Sequence, residues 1–210
     1  MADSSHTELQ FFGAMTATAT HDLKNVIAII NENAGLLEDL TLMAQKSGNA
    51  LSPDRVATVA KRIRDQVKRG DEMIKTLNRF AHRVDTPQEQ ALACDLAEAV
   101  DKTLELAGRK IAQSGLAVTR TPAQSPQSVL AHPFRLDQAI WQIIQAAMAE
   151  LASGAELIFS TEENTLWCTA EDPGWARVMN RAEELTTPFA PDGATLHLKQ
   201  NRLGLVWPTA

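Results

Sequence analysis

The stretch Phe11–Leu40, FFGAMTATATHDLKNVIAIINENAGLLEDL, decides how the chain is read. Phe12, Met15, Ala19, Leu23, Val26, Ile27, Ile30, Ala34, Leu37 and Leu40 recur at steps of three and four, the spacing of a long helix with one buried face. One polar, reactive interruption breaks the stripe, at His21-Asp22-Leu23-Lys24-Asn25. His21 falls beside the seam, so its ring is expected to be wet while its helix is rigid. His21 and Asn25 lie one turn apart and share a helix face, with Asp22 flanking it. A carboxylate beside an imidazole can hold the ring in one tautomer and accept the proton that a nucleophilic nitrogen must lose. An asparagine one turn away can orient a phosphoryl group or a water.

With 210 residues and 44% hydrophobic content, the chain has room for one large or two small packed domains. No run approaches the ~18 apolar residues of a membrane span, and the start MADSSHTELQ has neither the basic nor the apolar region of a signal peptide. The expectation is therefore a cytoplasmic protein without membrane contact, carrying no sensory segment before His21. A net charge of −6 argues against nucleic acid as a partner. Cys94 and Cys168 are too few for a disulfide framework or a metal cluster and are read as reduced packing residues.

Residues 1–7 are small and polar and are expected to fray. A helix from about Glu8 to Lys46 has weak points at Gly13 and Gly35; at ~1.5 Å per residue it is roughly 55 Å long. Ser47-Gly48-Asn49 breaks it, and Ser52-Pro53-Asp54 restarts a helix with a hydroxyl cap, proline at the first helical position and an early acid. That helix, to about Arg83, carries Val56, Val59, Ala60, Ile63, Val67, Ile74, Leu77, Phe80 and Ala81 on one side. Two long antiparallel helices cannot bury their faces as a pair alone, whereas two such hairpins make a four-helix bundle, so a homodimer is predicted. A hairpin covered by the second half of the chain is the rival arrangement. The basic run Lys61, Arg62, Arg64, Lys68, Arg69 reads either as a solvated face or as a docking surface for an acidic domain.

Residues 85–90, DTPQEQ, form a polar linker that divides the chain into a helical hairpin, 1–84, and a second domain, 91–210. The second half reads as a helix from about Asp95 to Ser114 stopped by Gly115, a strand at 116–120, and a loop at 121–128. A short apolar run at 129–131, a helix from His132-Pro133 to about Ala152 and strands at 156–160 and 165–170 follow. Trp175 to Leu185 is read as helical, and residues 194–207 as a hairpin turning near Asn201-Arg202. The four tryptophans, 141, 167, 175 and 207, are expected in the core of this half, an α/β sandwich with a mixed sheet. His6, His82, His132 and His197 are read as surface, helix-end, cap-region and strand residues.

The box H-D-x-x-N on a long amphipathic helix resembles the phosphoacceptor box of the two-component histidine kinases, H-[ED]-x-x-[NT]. The second half is similar to their catalytic ATP-binding domain, with RLDQAIWQIIQAA (135–147) tracking the helix of the N-box, R-L-x-Q-x-[LI]-x-N-[LI]-[LI]-x-N-A. The resemblance covers essentially the whole chain and implies an α+β protein, in which a helical hairpin forming a dimeric four-helix bundle precedes a degenerate sandwich of the kinase ATPase type. Both N-box asparagines are glutamine here, Gln142 and Gln145. The D-x-G-x-G box survives only as Asp172-Pro173-Gly174-Trp175-Ala176, and no glycine-rich lid follows. Nucleotide binding needs glycine-exposed amides and a metal ligand, so Asp172 is read as a turn residue, and neither cofactor nor metal is expected on this chain.

Among relatives of this type, the chain most resembles the short histidine phosphotransferases of bacterial phosphorelays. That likeness implies a phosphoryl group carried on His21 between the aspartates of response-regulator receiver domains. Asp22 would orient or deprotonate the ring, Asn25 and Lys24 would position the phosphoryl group, and Mg²⁺ would come from the receiver's acidic pocket. A divergent autokinase, a response-regulator phosphatase using Asn25 to align water, and a docking scaffold with an idle His21 are the competing expectations.

Overall fold

A computed structural model describes residues 2–48, 50–87, 89–123, 127–186, 189–190 and 193–210. The elements follow in the order α1 (Ala2–Ser47), α2 (Pro53–Arg83), β1 (Leu92–Asp95), α3 (Leu96–Ser114), β2 (Ala117–Arg120), β3 (Ser128–Ala131), α4 (Pro133–Glu150), β4 (Glu156–Glu162), β5 (Thr165–Ala170), α5 (Trp175–Asn180), α6 (Ala182–Thr186), β6 (Thr195–Lys199) and β7 (Arg202–Val206). Asn49, Gln88 and residues 124–126, which belong to the expected helix break, linker and loop, lie outside the described residues. The chain divides into two compact units, 16–79 and 1–15 with 80–210.

The first unit is a helical hairpin. α1 runs unbroken through Gly13 and Gly35 and begins at Ala2, so the expected fraying before residue 8 gives way to helix. On α2 the buried and half-buried positions Val59, Ile63, Gln66, Gly70, Met73 and Thr76 follow at steps of three and four. On α1 they are Ala19, Leu23, Val26, Ile30, Asn33, Leu37 and Leu40, and Gly70 brings α2 so close that an added Cβ would lie 3.3 Å from Val26 Cγ1. The single apolar face expected for α1 is in fact divided. Val26 is 3% exposed, but Ile27 is 65% and Leu36 41%, and on α2 Val67 and Ile74 are 54% and 48% exposed. A two-helix contact covers only one stripe per helix, about as wide as a coiled-coil seam, and these faces are wider.

The second unit joins the first turns of α1 and the end of α2 to the α/β sandwich. Phe11, Phe12, Phe80 and Phe134 form an aromatic cluster: Phe11 meets Phe80 edge-on at 5.5 Å and lies 5.2 Å from Phe134, and Phe12 stacks on Phe80 at 5.6 Å. Burying rings of this size contributes about 1.5–3 kcal/mol each. Arg83, the last residue of α2, pairs with the buried Asp137 of α4.

The main sheet has the strand order β2-β4-β5-β7-β6, with β2 parallel to β4 and every other pair antiparallel. Alternation puts Leu157, Phe159, Leu166, Cys168, Leu203 and Leu205 on one face, each at most 1% exposed. α3 and α4 pack against each other, and α3 covers β2 and β4. Gly115, at φ 73°, is the left-handed cap that ends α3. All four tryptophans are buried, and β6 and β7 form the final hairpin, turning at Gln200-Asn201. One strand was not foreseen: Leu92–Asp95 is β1, antiparallel to β3, where the sequence suggested linker running into helix at Asp95. Asp95 instead caps α3, accepting from the Glu98 amide at 2.8 Å.

Burial raises the Asp137 carboxyl to about 6, against the pull of Arg83. The fold therefore holds this proton more tightly than the unfolded chain does. The stability tied to it is complete below about pH 4 and lost as pH rises through about 6, on the order of 3 kcal/mol in all. Asp137→Asn cannot titrate, so the gap in Tm between the native chain and this variant should shift in favour of the variant from pH 4 to pH 7. Calorimetry across that range checks it; a shift toward the native chain would mean that Arg83 outweighs burial.

Candidate functional site

Helical spacing alone assembles the site on α1. His21 has a side chain 46% exposed, and its Nδ1 lies 3.3 Å from Asn25 Nδ2 and 3.8 Å from Asp22 Oδ1. Asp22 is 24% exposed, closer to the helix pair than the ring it flanks. Thr20, just before the histidine, turns its hydroxyl back to donate to the Thr16 carbonyl at 2.5 Å and the Ala17 carbonyl at 3.2 Å, so it does not compete for the ring. Lys24 is exposed and forms no ion pair among the described residues, so the helix brings His21, Asp22 and Asn25 together and leaves Lys24 apart.

The two neighbours pull the imidazole toward different tautomers. An amide donating to Nδ1 leaves the ring proton on Nε2, whereas a carboxylate accepting from Nδ1 leaves the Nε2 lone pair free. In either case Nε2 is the nitrogen that neither Asp22 nor Asn25 engages. A half-exposed ring with one nitrogen engaged is suited to nucleophilic chemistry at the other.

The four positions that the resemblance likened to a nucleotide site do not line the same cleft among the described residues. Gln142 and Gln145 line a cleft of about 470 Å³ beside α4. Asp172 and Gly174 do not reach it: Asp172 Oδ1 accepts from the Gly174 amide at 2.7 Å, a side-chain turn of the kind expected from the sequence. Gly174 is required by packing, because a Cβ there would lie 2.0 Å from the Glu150 carbonyl oxygen at the end of α4. Trp175 is fully buried, its indole donating to the Asn201 carbonyl at 2.9 Å. The N-box positions carry amides, and among the described residues no three acidic, histidine or cysteine side chains gather to hold an ion.

The remaining histidines serve other ends. His6 bonds to Gln10 at 2.8 Å, and His82 to Asp85 at 2.9 Å. His132 is buried at the start of α4, its Nε2 3.1 Å from the Thr86 carbonyl, a role its place before Pro133 did not reveal. Cys94 and Cys168 are free; burial raises both thiols, as befits packing residues. Lys110 and Gln138, which line the α4 cleft, were not singled out from the sequence. Gln138 stands within the N-box-like run, but only the fold brings α3 and Lys110 beside it.

No family model matches the chain, and no curated protein matches it in sequence. Among solved structures it is similar to the histidine kinase AdeS of Acinetobacter baumannii, at 15% identity over 90% of this chain and 98% of that one, TM-score 0.42. It is also similar to the histidine kinase ThkA in complex with the response regulator protein TrrA, at 16% identity over 96% of this chain and 63% of that one, TM-score 0.44. A third is the cytoplasmic segment of histidine kinase QseC, at 12% identity over 70% and 95%, TM-score 0.43. Likenesses this distant leave the function to be argued from the residues of this chain. No helix among the described residues is long and apolar enough to cross a membrane.

Substituting Gly174→Ala forces α5 away from the end of α4 and should destabilise the fold by about 1–3 kcal/mol. The measurement is the thermal midpoint, expected to fall by roughly 2–4 °C per kcal/mol for a chain of this size. An unchanged midpoint would show that the glycine is not held there by packing.

Proposed function

We propose that the chain is a histidine phosphotransferase, carrying a phosphoryl group on His21 between the aspartates of response-regulator receiver domains. The observation that carries this reading is the half-exposed His21 ring, with Nδ1 beside Asp22 and Asn25 and Nε2 engaged by neither. The Nε2 lone pair attacks the phosphorus of an aspartyl phosphate in line with the carboxyl oxygen. The N–P bond forms as the P–O bond breaks, and the aspartate leaves as carboxylate with the electron pair. The Nδ1 proton stays on the ring and is drawn to Asp22, which offsets the positive charge of the phosphorylated imidazole. In the return step an acceptor carboxylate oxygen attacks phosphorus and the N–P electrons revert to Nε2. A magnesium ion in the receiver's acidic pocket supplies charge neutralisation at the phosphoryl oxygens. Lys24, exposed at i+3 from the ring, would add a positive charge for the same oxygens.

The loss of the N-box asparagines and the packing of Asp172, Gly174 and Trp175 favour a carrier supplied from outside over an autokinase. Purified protein with ATP and Mg²⁺ should stay unlabelled, while a phosphorylated receiver should label it, and His21→Ala should abolish labelling while receiver binding persists. Labelling from ATP would replace this reading with that of an autokinase, and full relay by the His21→Ala chain would make it a scaffold. Asp22→Asn should slow transfer on the order of 100-fold, by removing the charge that offsets the phosphorylated imidazole, with stopped-flow phosphotransfer as the readout.

The open apolar stripe of the hairpin supports the homodimer in the same reading. Ile27 of α1 and Val67 and Ile74 of α2 are open in a single chain, and a second hairpin laid against them completes a four-helix bundle. Ile27→Glu should therefore give monomers by light scattering; a dimer of unchanged strength would place the interface elsewhere.

A further inference from the structure

The cleft beside α4 is lined by the first turns of α1, by Lys110 of α3 and by α6, all within the second unit. Its volume of about 470 Å³ is within the usual range for small-molecule sites. Three glutamines of α4, Gln138, Gln142 and Gln145, line it, and none of their amides makes a hydrogen bond within the described residues. Gln138 is only 3% exposed and lines the cleft, so a ligand there would take the place of water at its amide. Lys110 sits 5.5 Å from the centroid of the Trp141 ring, and among the described residues no carboxylate pairs with it. Arg181 is already neutralised by Glu184 at 3.2 Å, the only acid lining the cleft among the described residues. The wall thus offers one unpaired ammonium and three amides, each both donor and acceptor, with no donor set for a metal.

We propose that this cleft binds a small organic anion without a metal. A carboxylate or phosphate meets Lys110, and the polar body of the ligand takes up the amides of Gln138, Gln142 and Gln145. The site is independent of the phosphoryl-carrier reading of His21 and stands whether or not that reading holds. Its chemistry differs from that of a magnesium–triphosphate site, because one ammonium balances a single anionic group and the acids that would hold a metal are missing.

The test is calorimetric titration of the full chain in EDTA with adenosine monophosphate, citrate and inorganic phosphate as probes. Saturable binding of adenosine monophosphate or of citrate is expected, and which of the two binds tells whether the anion is a phosphate or a carboxylate. Lys110→Ala and Gln138→Leu should each weaken binding by about tenfold or more, with the circular dichroism spectrum unchanged. If Gln138→Leu does not fold, Gln145→Ala at an exposed position takes its place. The proposal is overturned if neither organic anion binds below about 10 mM, an affinity of only a few kcal/mol. Inorganic phosphate binding as tightly as the organic probes, binding only after Mg²⁺ is added, or affinity indifferent to these substitutions overturns it equally.

Discussion

The 3.6-residue turn of α1 brings a carboxylate and an amide to the same nitrogen of one imidazole, and the chemistry open to this chain follows from that. The neighbour at i+1 and the neighbour at i+4 both stand at Nδ1, so His21 has one nitrogen occupied and one at liberty. A lone histidine on a helix surface would tumble among rotamers and tautomers. Here Asp22 and Asn25 hold one edge of the ring, while nearly half of it stays open to a partner. The helix itself needs no ligand to hold its shape, since α2 packs along it with Gly70 set against Val26.

In the second unit, the residues whose sequence resembles a nucleotide box serve packing and turns. Gly174 stands where Glu150 leaves no room for a side chain, and Asp172 is the acceptor that turns the backbone there. Trp175 fills the interior and is fixed by the hairpin carbonyl of Asn201. These residues keep their places for packing reasons, whereas Gln142 and Gln145 face a separate cleft. A motif that looks half preserved in sequence is thus divided in space between structural and surface roles.

Most of the architecture was legible because its signals are local and periodic. The two long helices, the Ser52-Pro53 restart, the stop at Gly115 and the final hairpin all follow from spacing and turn chemistry within a few residues. β1 was not, because four residues with no alternation become a strand only by pairing with β3 more than thirty positions away. The division of the α1 stripe was also hidden, since periodicity gives the apolar width of a helix and not how many neighbours cover it. Ile27 and Val26 read alike in sequence, yet one is 65% and the other 3% exposed. The pairing of Arg83 with Asp137 and the gathering of Lys110 with Gln138 are products of the tertiary fold, and no residue nearby in sequence announces them. At the histidine, by contrast, the i, i+1, i+4 spacing on a helix was enough to bring Asp22 and Asn25 beside the ring, though not Lys24.

The proposed function depends on Nδ1 facing Asp22 and Asn25, which leaves Nε2 for phosphorus to meet. Phosphorylating the chain chemically with phosphoramidate and reading the ring by ¹⁵N and ³¹P NMR tests it directly. The account predicts a single phosphohistidine at position 21 bearing phosphate on Nε2, absent in His21→Ala. Phosphate on Nδ1, or a His21 that stays unmodified while another histidine reacts, would contradict it.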